Sequence, residues 1–297
     1  MVALPAFPMP PAEPGRLRAA DGVELAFERH GPADGLPVAF AHGFGQTRHA
    51  WRSAATALGA RGYRALIADG RGHGDSGWVA DGDYRFEQFI DDAVQLAAAA
   101  GERPVWVGAS MGGLLGMVAQ ASAPGGCFRA LVLVDITPRW EARGVERIMD
   151  FMRAHPQGFA SVHEAQDAVR AYLPHRAKDQ DPSRLAKLLV PMENGRLRWH
   201  WDPRLLDTVA RESERWGPRL AEAARALDLP VLLVSGGRSD VVSQNTIEEF
   251  MQLVPHAEHR RIADATHMVA GDANHRFTTT IIDFLQRLGQ RPARGNH

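Results

Sequence analysis

Along most of the chain, short runs of consecutive apolar residues alternate with stretches in which apolar residues recur every three or four positions. Runs of the first kind, at 37–42, 63–69, 104–108, 129–136 and 230–236, are rich in β-branched and aromatic residues and read as buried strands. Stretches of the second kind read as helices. Trp51, Ala55 and Leu58 share one face, and Phe86, Phe89, Ile90, Ala93, Val94 and Ala97 share another over 86–100. Ser243 is placed to cap a helix running to Leu253, residues 259–262 are a last strand candidate, and 277–288 predict a terminal helix closed by Gly289. At the start, 15–20 and 23–30 predict two strands joined at Asp21-Gly22, a hairpin turn signal. Strands alternating with helices imply right-handed crossovers and a mostly parallel sheet covered on both faces, with the opening hairpin as an antiparallel edge.

The rhythm breaks between Thr137 and about Leu220. Val145, Ile148, Met149 and Met152 make one helical face, Ala165, Ala168, Val169 and Tyr172 another, and Leu185, Leu188 and Leu189 suggest a third short helix. Residues 195–203 fit either a strand or an irregular rim. The segment reads as a mainly helical insertion. The expected organisation is a flexible arm over 1–14, core over 15–137, cap over 138–220, core again over 221–290 and a disordered tail over 291–297.

Composition narrows the class of partner. The 297 residues carry 34 basic and 35 acidic side chains, a formal net charge of -1, which gives no electrostatic reason to expect nucleic acid or an anionic membrane. The single cysteine, Cys127, cannot form an internal disulfide. Prolines interrupt the first residues and no basic stretch precedes them, so they read as an extended arm and not a signal peptide; the expected location is cytoplasmic. Oligomeric state is left open.

The candidate chemistry sits where the 104–108 run meets the next helix. Gly108-x-Ser110-x-Gly112 there places a serine on a tight, strained strand-to-helix turn, its hydroxyl above the sheet, with glycines where strand and helix pass too close for a Cβ. A serine hydroxyl needs a base within hydrogen-bond reach and an acid to orient that base. His267 follows the last strand candidate and Asp240 follows the strand before it. The carboxyl ends of parallel strands converge on one crevice, so the three can meet. Asp240 is the expected acid; Asp135, which also ends a strand, is the alternative, or a hydrogen-bonding group at the cap entrance.

With these residues in hand, the chain resembles the α/β-hydrolase superfamily over nearly its whole length. The resemblance rests on His42-Gly43-Phe44, on Asp69-Gly70-Arg71-Gly72-His73-Gly74-Asp75-Ser76, on the serine turn, on the Ser…Asp…His order and on the insertion after the sixth strand. It implies the α/β-hydrolase fold: a mostly parallel eight-stranded sheet with helices on both faces and a helical cap over the site. It also implies an oxyanion hole from the backbone N–H groups of Phe44 and Met111. Phe44, Met111, Met149, Met152, Trp199, Trp201, Val241 and Met268 are the candidate substrate-binding residues.

Gly72-His-Gly-Asp-Ser-Gly77 matches a dinucleotide-binding pattern literally, but no helix follows it, so no nucleotide cofactor is expected. His73 and Asp75 are assigned to fixing their loop. His256 and His259 lack a suitably spaced carboxylate, so no metal is expected either. Serine, and not the aspartate of the related epoxide hydrolases and dehalogenases, argues for attack on a carbonyl, because a serine attacking an sp³ carbon would leave a stable ether. The leading expectation is a carboxylic-ester or lactone hydrolase acting through an acyl-serine on an uncharged, partly hydrophobic substrate. Alternatives are C–C cleavage of a β-diketone-like substrate, peroxide-dependent acyl transfer as in the cofactor-free haloperoxidases, which share the Ser-Met-Gly-Gly neighbourhood, and a small-molecule receptor without turnover.

Overall fold

The computed structural model describes residues 11–174 and 182–290, without the side chains of 208–214. Among these described residues, ten strands form in chain order. They are β1 (Glu13–Arg18), β2 (Glu24–His30), β3 (Leu36–Ala41), β4 (Tyr63–Ala68), β5 (Val105–Ala109), β6 (Ala130–Val134), β7 (Leu189–Pro191), β8 (Leu197–Trp199), β9 (Val231–Gly236) and β10 (Glu258–Ile262). Eight of these make one sheet in the order β1-β2-β4-β3-β5-β6-β9-β10. The β1–β2 and β2–β4 pairs are antiparallel and the remaining pairs are parallel.

Helices cover both faces, and the strand sequences show why. In β5, Val105 and Val107 join Val38, Phe40, Val132 and Val134 in a core closed by Trp51, Phe277 and Phe284. Trp106 of the same strand turns to the opposite core with Leu131, Leu133, Met117 and Phe250. A strand buried on both sides carries no polar alternation, hence the continuous apolar runs. The first core is built by α1 (Arg52–Gly59), entered through a 3₁₀ turn at Arg48–Trp51, and by α9 (Val269–Asp272) and α10 (Asn274–Gln290). The second is built by α2 (Phe86–Ala100), α3 (Met111–Ser122) and α8 (Gln244–Leu253), with α7 (Leu205–Arg225) against α3.

The insertion holds α4 (Ala142–Arg153), α5 (Val162–Tyr172), α6 (Pro182–Ala186) and the first part of α7. It also contains a small hairpin, β7–β8, bridged to Phe159. Residues 197–199 of the undecided stretch are therefore strand, and Leu189 pairs in β7 instead of extending the third helix. The expected core boundary at 221 falls inside α7, because the buried face of Leu220, Ala223 and Ala224 continues the helix onto the core. The expected arm ends earlier than 14, since Glu13 and Pro14 pair with Arg29 and Glu28. Residues 1–10 and the expected tail at 291–297 lie outside the described residues. Among the described residues, no helix is long and apolar enough to cross a membrane.

Candidate active site

Ser110 stands between β5 and α3 with φ 47° and ψ −120°, a backbone conformation that a non-glycine residue adopts only under constraint. The constraint is visible in the flanking glycines. A Cβ on Gly108 would lie 2.3 Å from the Gly112 carbonyl oxygen, and one on Gly112 would lie 2.5 Å from the Ala41 carbonyl oxygen. The Ser110 amide donates to the Val134 carbonyl at 3.1 Å, which ties the turn to the neighbouring strand. Met111 opens α3, so its N–H belongs to the first helical turn and has no acceptor within the helix.

Beside this turn runs the loop after β3. The His42 ring accepts the Gly70 N–H at Nε2 (2.8 Å), so its proton sits on Nδ1 and is donated to the Gly43 carbonyl, also at 2.8 Å. Gln46 N–H reaches the same carbonyl at 3.1 Å. The peptide bonds are trans, so a Gly43 carbonyl held in this way points the Phe44 N–H in the opposite direction. The next amide, Gly45 N–H, is taken by His73 Nε2 at 3.1 Å.

The carboxylate that meets His267 is not the expected one. Asp135 follows β6, is fully buried, and has φ 51°. Its Oδ2 lies 2.8 Å from His267 Nδ1 and accepts the Ser239 hydroxyl at 2.5 Å, while Oδ1 accepts the Gly236 N–H at 2.6 Å. Asp240 does not reach His267. Its side chain is 40% exposed and its Oδ2 is 2.6 Å from Arg147 Nε on the cap. The reason is the turn after β9: residues 236–239 fold back to hold Asp135, which carries Asp240 outward to the start of α4. There a Cβ on Gly144 would lie 2.2 Å from the Asp240 carbonyl oxygen. Val241 shares this displacement; it is buried between cap and core, and its carbonyl accepts the Glu141 N–H at 2.8 Å. It does not line the cavity as expected.

Ser110 and His267 both line one cavity of about 1350 Å³ beneath the cap. Phe44, Met111 and Met268 line it around them, and Met149 and Met152 of α4 line it from above. Trp199 and Trp201, stacked at 5.2 Å and 16°, form part of its wall. Trp140, Ile148, Phe151 and Tyr172 line it too, although sequence reasoning passed over them. Ile148 shares its helical face with Met149 and Met152, and that was the available signal.

The family model described as alpha/beta hydrolase fold matches residues 37–273. The chain belongs to that family. This hydrolase is 30% identical over 260 residues to the 3-hydroxybutyrate-oligomer hydrolase of Cupriavidus necator, a match covering 82% of this chain and 86% of that protein. It is 29% identical over 284 residues to the non-heme chloroperoxidase CPO-A1 of Kitasatospora aureofaciens, covering 90% of this chain and 98% of that one. Among solved structures, E-2-(acetamidomethylene)succinate hydrolase superposes with a TM-score of 0.77 at 24% identity, over 93% of this chain and 99% of that chain; this likeness concerns the fold alone.

Three histidines of the hydrolase cluster behind the loop after β3: His42, His73 and His200 of the cap, with ring centroids 5.0 Å and 6.2 Å apart in turn, the first pair edge-on and the second tilted. Burial, above all, holds His42 below the usual histidine range, His73 well below it, and His200 at about 3. Neutral rings are what the geometry requires, because each uses one nitrogen to accept a backbone N–H: from Gly70, Gly45 and, for His200 Nδ1, Gly74 at 2.9 Å. The proton of His200 is thereby on Nε2, which is buried and meets no acceptor in hydrogen-bond geometry, although the Gly45 carbonyl is close enough to raise the ring's basicity slightly. His73 and Asp75 fix their loop: His73 Nδ1 donates to the Arg71 carbonyl at 3.0 Å, and Asp75 accepts from Arg48 at 2.7 Å.

Proposed function

We propose that this hydrolase cleaves a carboxylic ester or lactone through an acyl-serine, with Ser110 as nucleophile, His267 as base, and Asp135 in place of Asp240 as the orienting acid. The observation that carries the reading is the 2.8 Å contact between His267 Nδ1 and the buried Asp135 carboxylate, in the cavity that Ser110 also lines. An Nδ1–H fixed on Asp135 leaves Nε2 free to take a proton. The Ser110 oxygen then bonds to the carbonyl carbon while its proton passes to His267, and the C–O bond to the alcohol breaks as that proton is handed to the leaving oxygen. The charge on the former carbonyl oxygen is met by the Phe44 and Met111 N–H groups. Water, deprotonated by the same imidazole, releases the acid and restores the hydroxyl. The many apolar side chains in the cavity support an uncharged, partly hydrophobic substrate.

A fluorophosphonate probe tests the nucleophile. It is expected to label the wild-type chain once and to leave Ser110→Ala unlabelled; equal labelling of both would remove Ser110 from its role. The chloroperoxidase relative, aligned over almost its full length, favours a second reading in which peroxide replaces water as acceptor of the same acyl group. Peracid formation from an ester and hydrogen peroxide, measured against hydrolysis, separates the two.

A further inference from the structure

The cavity is not uniform. On the side of the sheet covered by α2, α3 and α7 its floor is Leu114, Phe86 and Trp216, and its roof is Val145 and Ile148 of α4 with Val169 of α5. The three roof side chains are only half-buried, so they present apolar surface to whatever enters, while the exposed Arg184 and Lys187 also border the cavity from the cap, beside Leu185 and Leu188. On the side covered by α1 and α9 the lining changes to His49, Arg52, Ser53, Thr56, Gly271 and Asp272. Arg52 and Asp272 at this polar end already have partners. Arg52 is 2.6 Å from Glu28, and Asp272 accepts the Thr266 N–H at 2.8 Å.

His267 belongs to the polar end by chain path, since residues 266–268 lead directly into α9. That placement assigns the two parts of the substrate. The imidazolium must hand its proton to the departing alcohol oxygen, so the alcohol lies on the imidazole's side of the carbonyl carbon. The acyl chain then leaves the carbonyl in the other direction, over Leu114 and beneath α4 and α5. We infer that the substrate is an ester of a bulky apolar acid, of medium chain length or longer, with a small, hydrophilic, uncharged alcohol, the acid seated under the cap and the alcohol between α1 and α9. A volume of about 1350 Å³ exceeds the range of common small-ligand sites, and an acetyl group would leave most of the apolar half filled only with water.

The inference rests on the acyl-serine reading, and the test keeps the two apart. Monoesters of glycerol from acetyl to octanoyl are assayed by acid release, with fluorophosphonate labelling run in parallel. Burial of each added methylene is worth at most about fourfold, so kcat/KM is expected to rise by about 100-fold or more from acetyl to octanoyl. Octanoylglycerol is expected to exceed octyl octanoate by about tenfold, because the second alcohol would push its chain among polar groups. Val145→Phe and Val169→Phe, two independent narrowings of the roof, should each lower the octanoyl-to-acetyl ratio by about tenfold in protein that melts like wild type. A flat or falling chain-length profile, a preference for octyl octanoate, or an unchanged ratio in folded variants would overturn the inference while labelling stayed intact. Absence of both labelling and turnover would overturn the acyl-serine reading, and the inference with it.

Discussion

Replacing Asp135 by Asn changes two protons and almost no volume, which makes it the sharpest probe of the site. The amide oxygen can keep the Gly236 N–H that Oδ1 now accepts at 2.6 Å. The NH₂ takes the place of Oδ2, facing the Ser239 hydroxyl at 2.5 Å and His267 Nδ1 at 2.8 Å. His267 Nδ1 can answer by becoming the acceptor, whereas the Ser239 hydroxyl already accepts the Val241 and Val242 N–H groups at 3.1 Å and has to turn its own proton away from the amide. The ring proton then sits on Nε2, and the proposed base offers Ser110 a donor where the reaction needs an acceptor. The fold survives and the base is lost. A tautomer fixed the wrong way is expected to lower kcat by about ten-thousand-fold, equivalent to about 5 kcal/mol of transition-state stabilisation. Asp240→Asn removes one ion pair with Arg147 whose partners are 40% and 43% exposed, and pairs of that kind contribute about 0–1 kcal/mol to stability. Its kcat should stay within about threefold of wild type. Ester hydrolysis by both variants, with thermal melts as a control for folding, decides the matter: an active Asp135→Asn beside an inactive Asp240→Asn would refute the assignment.

Two further predictions follow from packing and from buried charge. In Gly112→Ala the new methyl would lie 2.5 Å from the Ala41 carbonyl oxygen and 2.8 Å from the Ala41 Cβ, so chemical denaturation should show a loss of about 3 kcal/mol or more. Gly217→Ala in α7, where a Cβ meets nothing within 4 Å, should gain up to about 1 kcal/mol; a similar loss at both positions would mean that the clash at the serine turn is not what the glycine avoids. His200 is held neutral in the fold down to about 3, whereas the unfolded chain takes up its proton near the ordinary histidine value of 6.5. Its contribution is therefore fully present above that value and is lost as pH falls through the window toward 3. One proton taken up on unfolding gives a slope of up to about 1.4 kcal/mol per pH unit, so His200→Asn should flatten the fall in stability between pH 6.5 and 4.5 by about 2–3 kcal/mol. A slope identical to wild type would show that this ring does not titrate as its surroundings require.

What could be read from the chain was whatever depends on neighbours in sequence. The strand, the glycines and the helix start around Ser110 are contiguous, and the apolar runs carry the mark of burial on both faces. Asp240 was expected over Asp135 because the choice depends on register between strands far apart in sequence, which the chain does not display. Val134 of β6 lies opposite Val234 of β9, which sets Asp135 beside the turn that begins at Gly236. Nothing near residue 240 announces that this turn folds back before reaching it. The β7–β8 hairpin was illegible for a different reason: strands of three residues, Leu-Val-Pro and Leu-Arg-Trp, are too short to display a period. The end of the cap was misplaced because α7 runs without a break from insertion to core, and its buried Leu220, Ala223 and Ala224 carry the helix past the expected boundary.

Strain in the backbone ties these local and long-range features together. Among the described residues, Arg103, Ser110 and Asp135 are the non-glycine residues with positive φ. Two of the three are the proposed nucleophile and its acid. They follow directly on Ala109 and Val134, which are partners in the β5–β6 register. Both therefore leave the sheet at the same level on adjacent strands. The ladder is carried one residue past each strand end, by the Ser110 amide to Val134 at 3.1 Å and the Asp135 amide to Val234 at 2.8 Å. A backbone held in this region costs about 1–3 kcal/mol per residue, and it persists only where its surroundings leave no alternative. Relaxing either φ would swing the side-chain oxygen away from the shared edge and break the ladder bond beside it. The sheet thus positions the hydroxyl and the carboxylate. His267, arriving from the loop after β10, meets that carboxylate at 2.8 Å, so the register of β5, β6 and β9 sets where the two proposed partners of the imidazole stand.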